Sequence, residues 1–300
     1  MTGTPGGLST GSAASVSTRG SAASVLTRGT QRPAATKPRR GPASFVWWIV
    51  FIIGLLYFFL PLLGTFAFSM RSEPLFSAYA VVVDDPQFGQ TLFYSFLVGI
   101  ITIVVSTILI VPTAFWVRLR LPRLRPYIEF ITLLPFVIPP IILVFGLIRS
   151  YSGDPFPLAG SDLGSNVLLI AAYVVLSFPY MYRAVDTGLR SIDVRSLTEA
   201  SQSLGAGWIT VLVRVIFPNL RVSLLSGAFL TLAIVVGEFT IATFLARPAF
   251  GPYIELIGGN RAYEPAAVSL ISFGLTWIAM GLLGLIGRQS RQKIQIAGAH

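Results

Sequence analysis

The chain of 300 residues contains no cysteine and one histidine, His300. Disulfides, thiolate nucleophiles and Cys-ligated metals are therefore excluded, and a lone imidazole at position 300 has neither co-ligands nor a fixed neighbour for general-base work. An intramembrane enzyme would need a nucleophile and base pair that Cys and internal His do not supply here. No Gly-rich loop ending in Gly-Lys-Ser/Thr occurs, so nucleotide chemistry has to come from a partner, and neither a cofactor nor a metal is expected on this chain. Charge is scarce as well. Only 11% of residues are charged against 54% hydrophobic, and the mean hydropathy is +0.75, far from an ordinary soluble domain. The composition places the chain in a bilayer as an all-α, polytopic protein.

Crossing a hydrocarbon core takes about 20 helical residues, and six apolar segments are long enough. They run over 44–68, 91–117, 127–148, 163–182, 222–246 and 265–287. Pro61, Pro112, Pro135, Pro139, Pro140 and Pro179 fall within or near them, so kinked and discontinuous helices are expected, with neighbouring helices satisfying the freed backbone groups. Residues 1–43 are different material, rich in Gly, Ser, Thr, Ala and Pro, with a tandem repeat of GSAASVSTR and GSAASVLTR over 11–28. That composition cannot bury a core and reads as a disordered tail preceding a membrane domain over 44–300. A cleaved signal peptide is not expected, because the first apolar run begins only near Phe45, behind the basic residues Lys37, Arg39 and Arg40.

Orientation follows from the Lys and Arg residues, since loops that carry them stay cytoplasmic. Eighteen of the 22 lie in the N-terminal tail, in the connections after the second and fourth spans, and at the C-terminus; Arg71, Arg149, Arg247 and Arg261 are the remainder. Both termini are thus expected in the cytoplasm. The same partition speaks against nucleic-acid binding, because the net charge of +10 is spread over separate loops and forms no single basic face.

On this topology residues 186–218 form the longest cytoplasmic connection. Ser196-Leu197-Thr198-Glu199 has the form of a capping box, which starts a helix at Ser196. Gly205 is placed to end that helix in a left-handed conformation, and a second helix over 208–216 is expected to break at Phe217-Pro218. Small residues at Ala200, Ser201, Gly205, Ala206 and Gly207 let a partner approach the backbone. The plainer reading is a solvated connector in which Glu199 only caps its own helix.

The segment Glu199-Ala200-Ser201-Gln202-Ser203-Leu204-Gly205, with Val215-Ile216-Phe217-Pro218 after it, resembles the cytoplasmic loop of permease subunits of binding-protein-dependent ABC importers. The family pattern is Glu-Ala-Ala, three residues, Gly, nine residues, Ile, one residue, Leu-Pro. Glu199, Ala200, Gly205 and Pro218 are in register, while Ser201, Val215 and Phe217 replace Ala, Ile and Leu. The resemblance extends over about residues 91–287. It implies a coupling helix that inserts into a cleft of an ATP-binding subunit, with Ser196, Glu199, Ala200, Ser201 and Gly205 at the contact and Pro218 at the following break. It also implies an ATPase dimer, a second permease that is similar or identical, and an extracytoplasmic binding protein as partners, in a prokaryotic inner membrane. The alternative is an ion-coupled secondary carrier or channel, but such carriers commonly repeat matched halves with broken helices, which these six segments do not.

Two carboxylates sit within spans, where an ionisable group by default faces a cavity or a partner. Glu238, followed by Thr240 and Thr243, is a candidate for lining the solute path or for bonding a neighbouring helix; Glu129 is a second path candidate or a partner of Arg125 at the cytoplasmic surface. Residues 237–244 resemble the fifth span of the permease branch that handles polyamines, ferric iron, sulfate, thiamine and aminophosphonates. A carboxylate in a poorly screened site suits a cation such as spermidine or putrescine. The outer segment 247–264, with Gly258-Gly259-Asn260-Arg261, is a docking surface for the binding protein or an ordinary turn.

Overall fold

The computed structural model describes residues 43–155 and 157–297, and every regular element among them is a helix. The expected tail over 1–43 lies outside the described residues, save Ala43. The chain divides into two compact units, residues 1–54 and 55–300. Described residues of the first belong to the start of α1 (Ala43–Ser69), where the side chains from Val46 to Ile53 are exposed and almost wholly apolar. A helix apolar on all sides is at home in lipid.

In the second unit α1 runs on to Ser69, and α2 (Ser77–Asp84) and α3 (Pro86–Leu119) follow. Asp85 caps α3 by accepting from the Gln87 amide at 2.9 Å, with Pro86 in the first turn where no N–H is needed. A 3₁₀ turn over Pro122–Leu124 leads to α4 (Arg125–Val137) and α5 (Pro140–Tyr151), and α6 (Asp162–Arg190) comes next. Then come α7 (Val194–Ser203), α8 (Trp208–Thr210), a π-helical stretch Val211–Ile216, α9 (Phe217–Asn219), α10 (Arg221–Gly237), α11 (Thr240–Phe244), α12 (Phe250–Asn260) and α13 (Glu264–Ala297).

The spans are less regular than six rods. Val46–Ser69, Pro86–Leu119 and Asp162–Arg190 are long and apolar enough to cross uninterrupted, and the apolar stretch Glu264–Ala279 is shorter. The expected span 127–148 is bent by 96° between α4 and α5. Pro139 pushes Ile138 out of the helical region and Pro140 does the same to Pro139, so the chain runs extended for two residues before Pro140 opens α5. The expected span 222–246 is likewise divided, α10 ending at Gly237 and α11 starting at Thr240. α6 continues to Arg190, eight residues past the expected end at Tyr182, because Val185 and Leu189 prolong its buried face. Gly258 and Gly259, expected in a turn or docking loop, lie in the last part of α12.

The core is α3 and α10 packed on α6. Phe115, Met181, Val185, Leu189, Ile216 and Leu220 are buried together near one end. Polar groups in this core are paired: Ser106 of α3 and Ser177 of α6 bond at 2.6 Å, and Thr102 and Thr231 donate to carbonyls of their own helices. No buried side-chain nitrogen or oxygen among the described residues lacks a partner. α6 and α10 approach closely at Gly188, where an added Cβ would lie 2.5 Å from Ser223 Oγ and 2.8 Å from Leu220 Cδ2. Small residues allow such approach between membrane helices. Gly188→Val is expected to destabilise the fold by about 1–3 kcal/mol through overpacking, read as a lower thermal midpoint of the detergent-solubilised chain; an unchanged midpoint would show that the two helices can separate without cost.

Candidate functional site

Between α6 and α10 the chain builds a short helical hairpin. α7 starts two residues before the expected Ser196, because Asp193 takes the cap: its Oδ1 accepts the Ser196 amide at 3.1 Å and its Oδ2 the Ser196 hydroxyl at 2.7 Å. The reciprocal Ser196–Glu199 box does not form, and Glu199 instead accepts from Arg195 Nε at 2.8 Å. Those Ser196 bonds hold the Asp193 carboxyl below its usual value. At the other end Gly205 adopts φ +84°, with its amide on the Gln202 carbonyl at 2.9 Å and the Ala206 amide on the Ser201 carbonyl at 3.0 Å. These are the two bonds of a Schellman ending, which a glycine enters without strain.

One face of α7 is fixed and the other free. Val194 and Thr198 are buried against the bundle, while Ser196, Glu199, Ala200 and Ser203 are exposed and Leu204, at the tip, is 89% exposed. Ser201 is half-buried and its hydroxyl donates to the Leu197 carbonyl, so a serine in the second alanine position is satisfied within its own helix. The return strand of the hairpin is anchored to α3: the Trp208 ring lies 5.0 Å from that of Trp116, and the Arg120 guanidinium sits 5.3 Å over Trp208. Pro218 does not break this strand. It stands directly after the π-helical stretch, within helical backbone that runs on to Asn219. The bend, 76°, comes two residues later at Leu220, which is wholly buried.

Glu238 occupies the gap between α10 and α11 and caps the latter. Its Oε1 accepts the Ile241 amide at 2.9 Å, and its Oε2 accepts the Ala242 amide at 3.2 Å and the hydroxyl of buried Tyr173 at 3.0 Å. One carboxylate thus replaces the backbone acceptors lost at the break and ties it to α6. α12 closes the other side: a Cβ on Gly251 would collide with the Glu238 carbonyl oxygen. Glu238 also lines a cleft of about 520 Å³ where the two helix breaks meet, together with Pro139, Tyr180 and Thr240 among others. Thr243 is not part of it and donates to the Phe239 carbonyl at 2.8 Å.

Glu129 lies elsewhere, in an ion network that joins the ends of α3, α4 and α6. It accepts from Arg125 Nε at 2.9 Å and has Arg190 Nη2 at 3.6 Å. Asp186, its side chain 13% exposed, is the centre, with Arg190 Nη2 at 2.6 Å, Arg125 Nη2 at 3.1 Å and Arg118 Nη1 at 3.9 Å. Glu129, Asp186 and Arg190 border a second cleft, of about 470 Å³. Sequence reasoning passed over Asp186, Asp193, Tyr173 and Trp208. The i, i+4 spacing of Asp186 and Arg190 and the placement of an Asp directly before Val194 were signals for the first two; the other two depend on packing across helices.

Broken helices meeting at a cleft within an apolar bundle, beside a polar hairpin with one free face, define a polytopic membrane transport protein. The chain belongs to the binding-protein-dependent transport system inner membrane component family, whose model matches residues 110–291. It is 32% identical over 143 residues to the probable ABC transporter permease protein y4fN of Sinorhizobium fredii, a match covering 46% of this chain and 25% of that relative. It thus spans a quarter of that relative's length. It is 25% identical over 222 residues to the spermidine/putrescine transport system permease protein PotB of Escherichia coli, covering 66% of this chain and 79% of PotB. Its fold matches a bacterial ABC transporter involved in import of the acidic polysaccharide alginate with a TM-score of 0.64 at 13% identity, over 82% of this chain and 96% of that one.

The two caps make separate predictions. Glu238→Ala is expected to cost about 1 kcal/mol, seen as faster hydrogen exchange at the Ile241 and Ala242 amides, whereas Glu238→Gln keeps an acceptor oxygen and most of the protection; equal loss in both would mean that the charge is what matters. For Asp193 the folded-state value is depressed, so its contribution is present above the unfolded carboxyl range and is lost as pH falls through the folded value. Amide protection over residues 194–197 is expected to drop across that acidic window in wild type, and to be low and flat with pH in Asp193→Ala.

Proposed function

We propose that this permease subunit pairs with a similar or identical permease, takes a small solute from an extracytoplasmic binding protein, and passes it inward as two separate ATPase subunits hydrolyse ATP. In this reading the chain sits in a prokaryotic inner membrane with both termini in the cytoplasm and has no ATPase activity of its own. The observation that carries it is the free face of α7 ending in Leu204, an apolar side chain held almost fully in solvent beside Gly205. Exposed apolar surface framed by small polar residues suits a protein partner, and the family resemblance makes that partner the ATP-binding subunit. Glu199, Ala200, Ser203 and Leu204 would meet it, with Ser196 at the edge of the contact and Pro218 where the hairpin turns back.

The cleft at Glu238 supports a path through the bundle, since breaks in spanning helices are placed where they line a cavity. As for solute, the spermidine/putrescine relatives favour a polyamine, with ferric iron, sulfate, thiamine and aminophosphonates as the alternatives. The Coulomb argument for a cation loses force at Glu238, because three donors already occupy that carboxylate.

The test is co-purification from native membrane in mild detergent, comparing wild type with the double variant Glu199→Ala, Gly205→Leu. An ATP-binding subunit recovered with wild type and lost with the variant is the expected result; wild-type chain that reproducibly emerges alone would overturn the reading. Gly205→Leu alone, which forces a side chain into a left-handed conformation at a cost of about 1 kcal/mol, is expected to keep the ATPase bound and hydrolysing while transport in reconstituted vesicles falls.

A further inference from the structure

A third cleft, of about 550 Å³, lies between α4, α6 and α10 and links the other two. It shares Phe136 and Tyr180 with the cleft at Glu238, and Leu133, Arg183 and Thr187 with the cleft at the ion network. The three form one line from the helix breaks to the ends of α3, α4 and α6. Tyr180, Arg183 and Thr187 are spaced i, i+3 and i+7 on α6 and so share a face, and Ser223 of α10 joins them in the lining.

The chemistry of this middle cleft is one-sided. Arg183 is exposed to it and forms no hydrogen bond or ion pair among the described residues, nor do the hydroxyls of Tyr180, Thr187 and Ser223. Its remaining polar side chain, Ser226, donates to the Val222 carbonyl, and no carboxylate lines the cleft among the described residues. Other arginines nearby are occupied: Arg118, Arg125 and Arg190 by Asp186 and Glu129, and Arg120 by Trp208. Arg183 also borders the cleft of the ion network, yet it pairs with neither Glu129 nor Asp186 there, and an exposed, unpaired cation at the edge of an otherwise apolar cleft is open to a partner. A guanidinium offers donors only, keeps its charge at any physiological pH, and matches planar or tetrahedral oxyanions with two parallel bonds.

We infer that the middle cleft holds an oxyanion, the carboxylate, sulfate or phosphonate group of the passing solute, with Arg183 as its counter-charge and Tyr180, Thr187 and Ser223 as hydroxyl donors. This deepens the import reading and rests on it. A polycation would meet Arg183 in this cleft with no lining carboxylate among the described residues, so the site argues against the polyamine that the relatives' names favour and for one of the anionic alternatives.

The test uses the full chain, with whatever ATPase co-purifies, in nanodiscs of phosphatidylcholine. Its thermal midpoint is followed as methylphosphonate, sulfate or acetate replaces chloride at constant ionic strength, and separately with putrescine. A saturable rise with at least one oxyanion is expected, weakened at least about tenfold in apparent affinity by Arg183→Gln, as loss of a charged hydrogen-bond donor implies. The response should be partly kept in Arg183→Lys and unchanged in Arg149→Gln, whose side chain lines none of the three clefts. Should Arg183→Gln not yield folded protein, the pair Thr187→Val and Ser223→Ala is expected to weaken the same response. The inference is overturned by an undiminished response in the variants, by no response to any of the three anions, or by a rise with putrescine instead. A rise that requires phosphatidylglycerol in the disc assigns the oxyanion to a lipid headgroup and overturns the solute assignment. Failure of the two readings is separable: an ATPase-bound chain without an anion response refutes the site, and a chain that emerges alone but responds through Arg183 refutes the import reading.

Discussion

A backbone amide stripped of its partner inside lipid costs several kcal/mol, and about this fold the first question is how its interrupted helices avoid that cost. Near Ile138 the answer is proline: Pro139 and Pro140 bring no N–H to the break. Near Glu238 the answer is a side chain that accepts from Ile241 and Ala242 while Tyr173 holds it in place. The two solutions stand on opposite sides of one cleft. Their cost is met locally, so the bundle keeps continuous helices in α3 and α6 and concentrates its irregular backbone at that level.

Charge is handled with the same economy at the far end of α6. Asp186 and Glu129 draw Arg118, Arg125 and Arg190 into one network, so three helix ends that carry like charges are held together rather than pushed apart. Each bond is partly solvated and of modest strength alone, but Asp186 is shielded, and its Oδ2 accepts from both Nε and Nη2 of Arg190 and from Arg125 Nη2. Arg183 stands one turn before that network and is not drawn into it.

Much of this was legible in the sequence because it is written locally. Apolar run lengths mark the spans, the double proline marks a break, and a glycine after a polar helix marks the αL ending at Gly205. Where two local signals compete, only packing decides: Asp193 and Ser196 are both good caps, and burial of Val194 in the core favours the earlier start. The break at Glu238 was hidden, since Gly237-Glu238 interrupts an apolar run without stopping it by any local rule. Tyr173, 65 residues away, and the close approach of Gly251 make that break, and neither has a signature in the segment itself. The ion network was half legible, as two i, i+4 pairs whose meeting requires the fold.

The anchoring of the hairpin has a mechanical meaning. Val194, Val211 and Ile216 are buried in the same cluster as Phe115 and Leu189, and Trp208 is clamped between Trp116 and Arg120. The hairpin is therefore a lug rather than a hinged arm. Under the proposed coupling, a push at Leu204 would be carried through these contacts to α3 and α6, so a few aromatic and β-branched side chains would set how faithfully a displacement at the tip becomes rotation of two long rods.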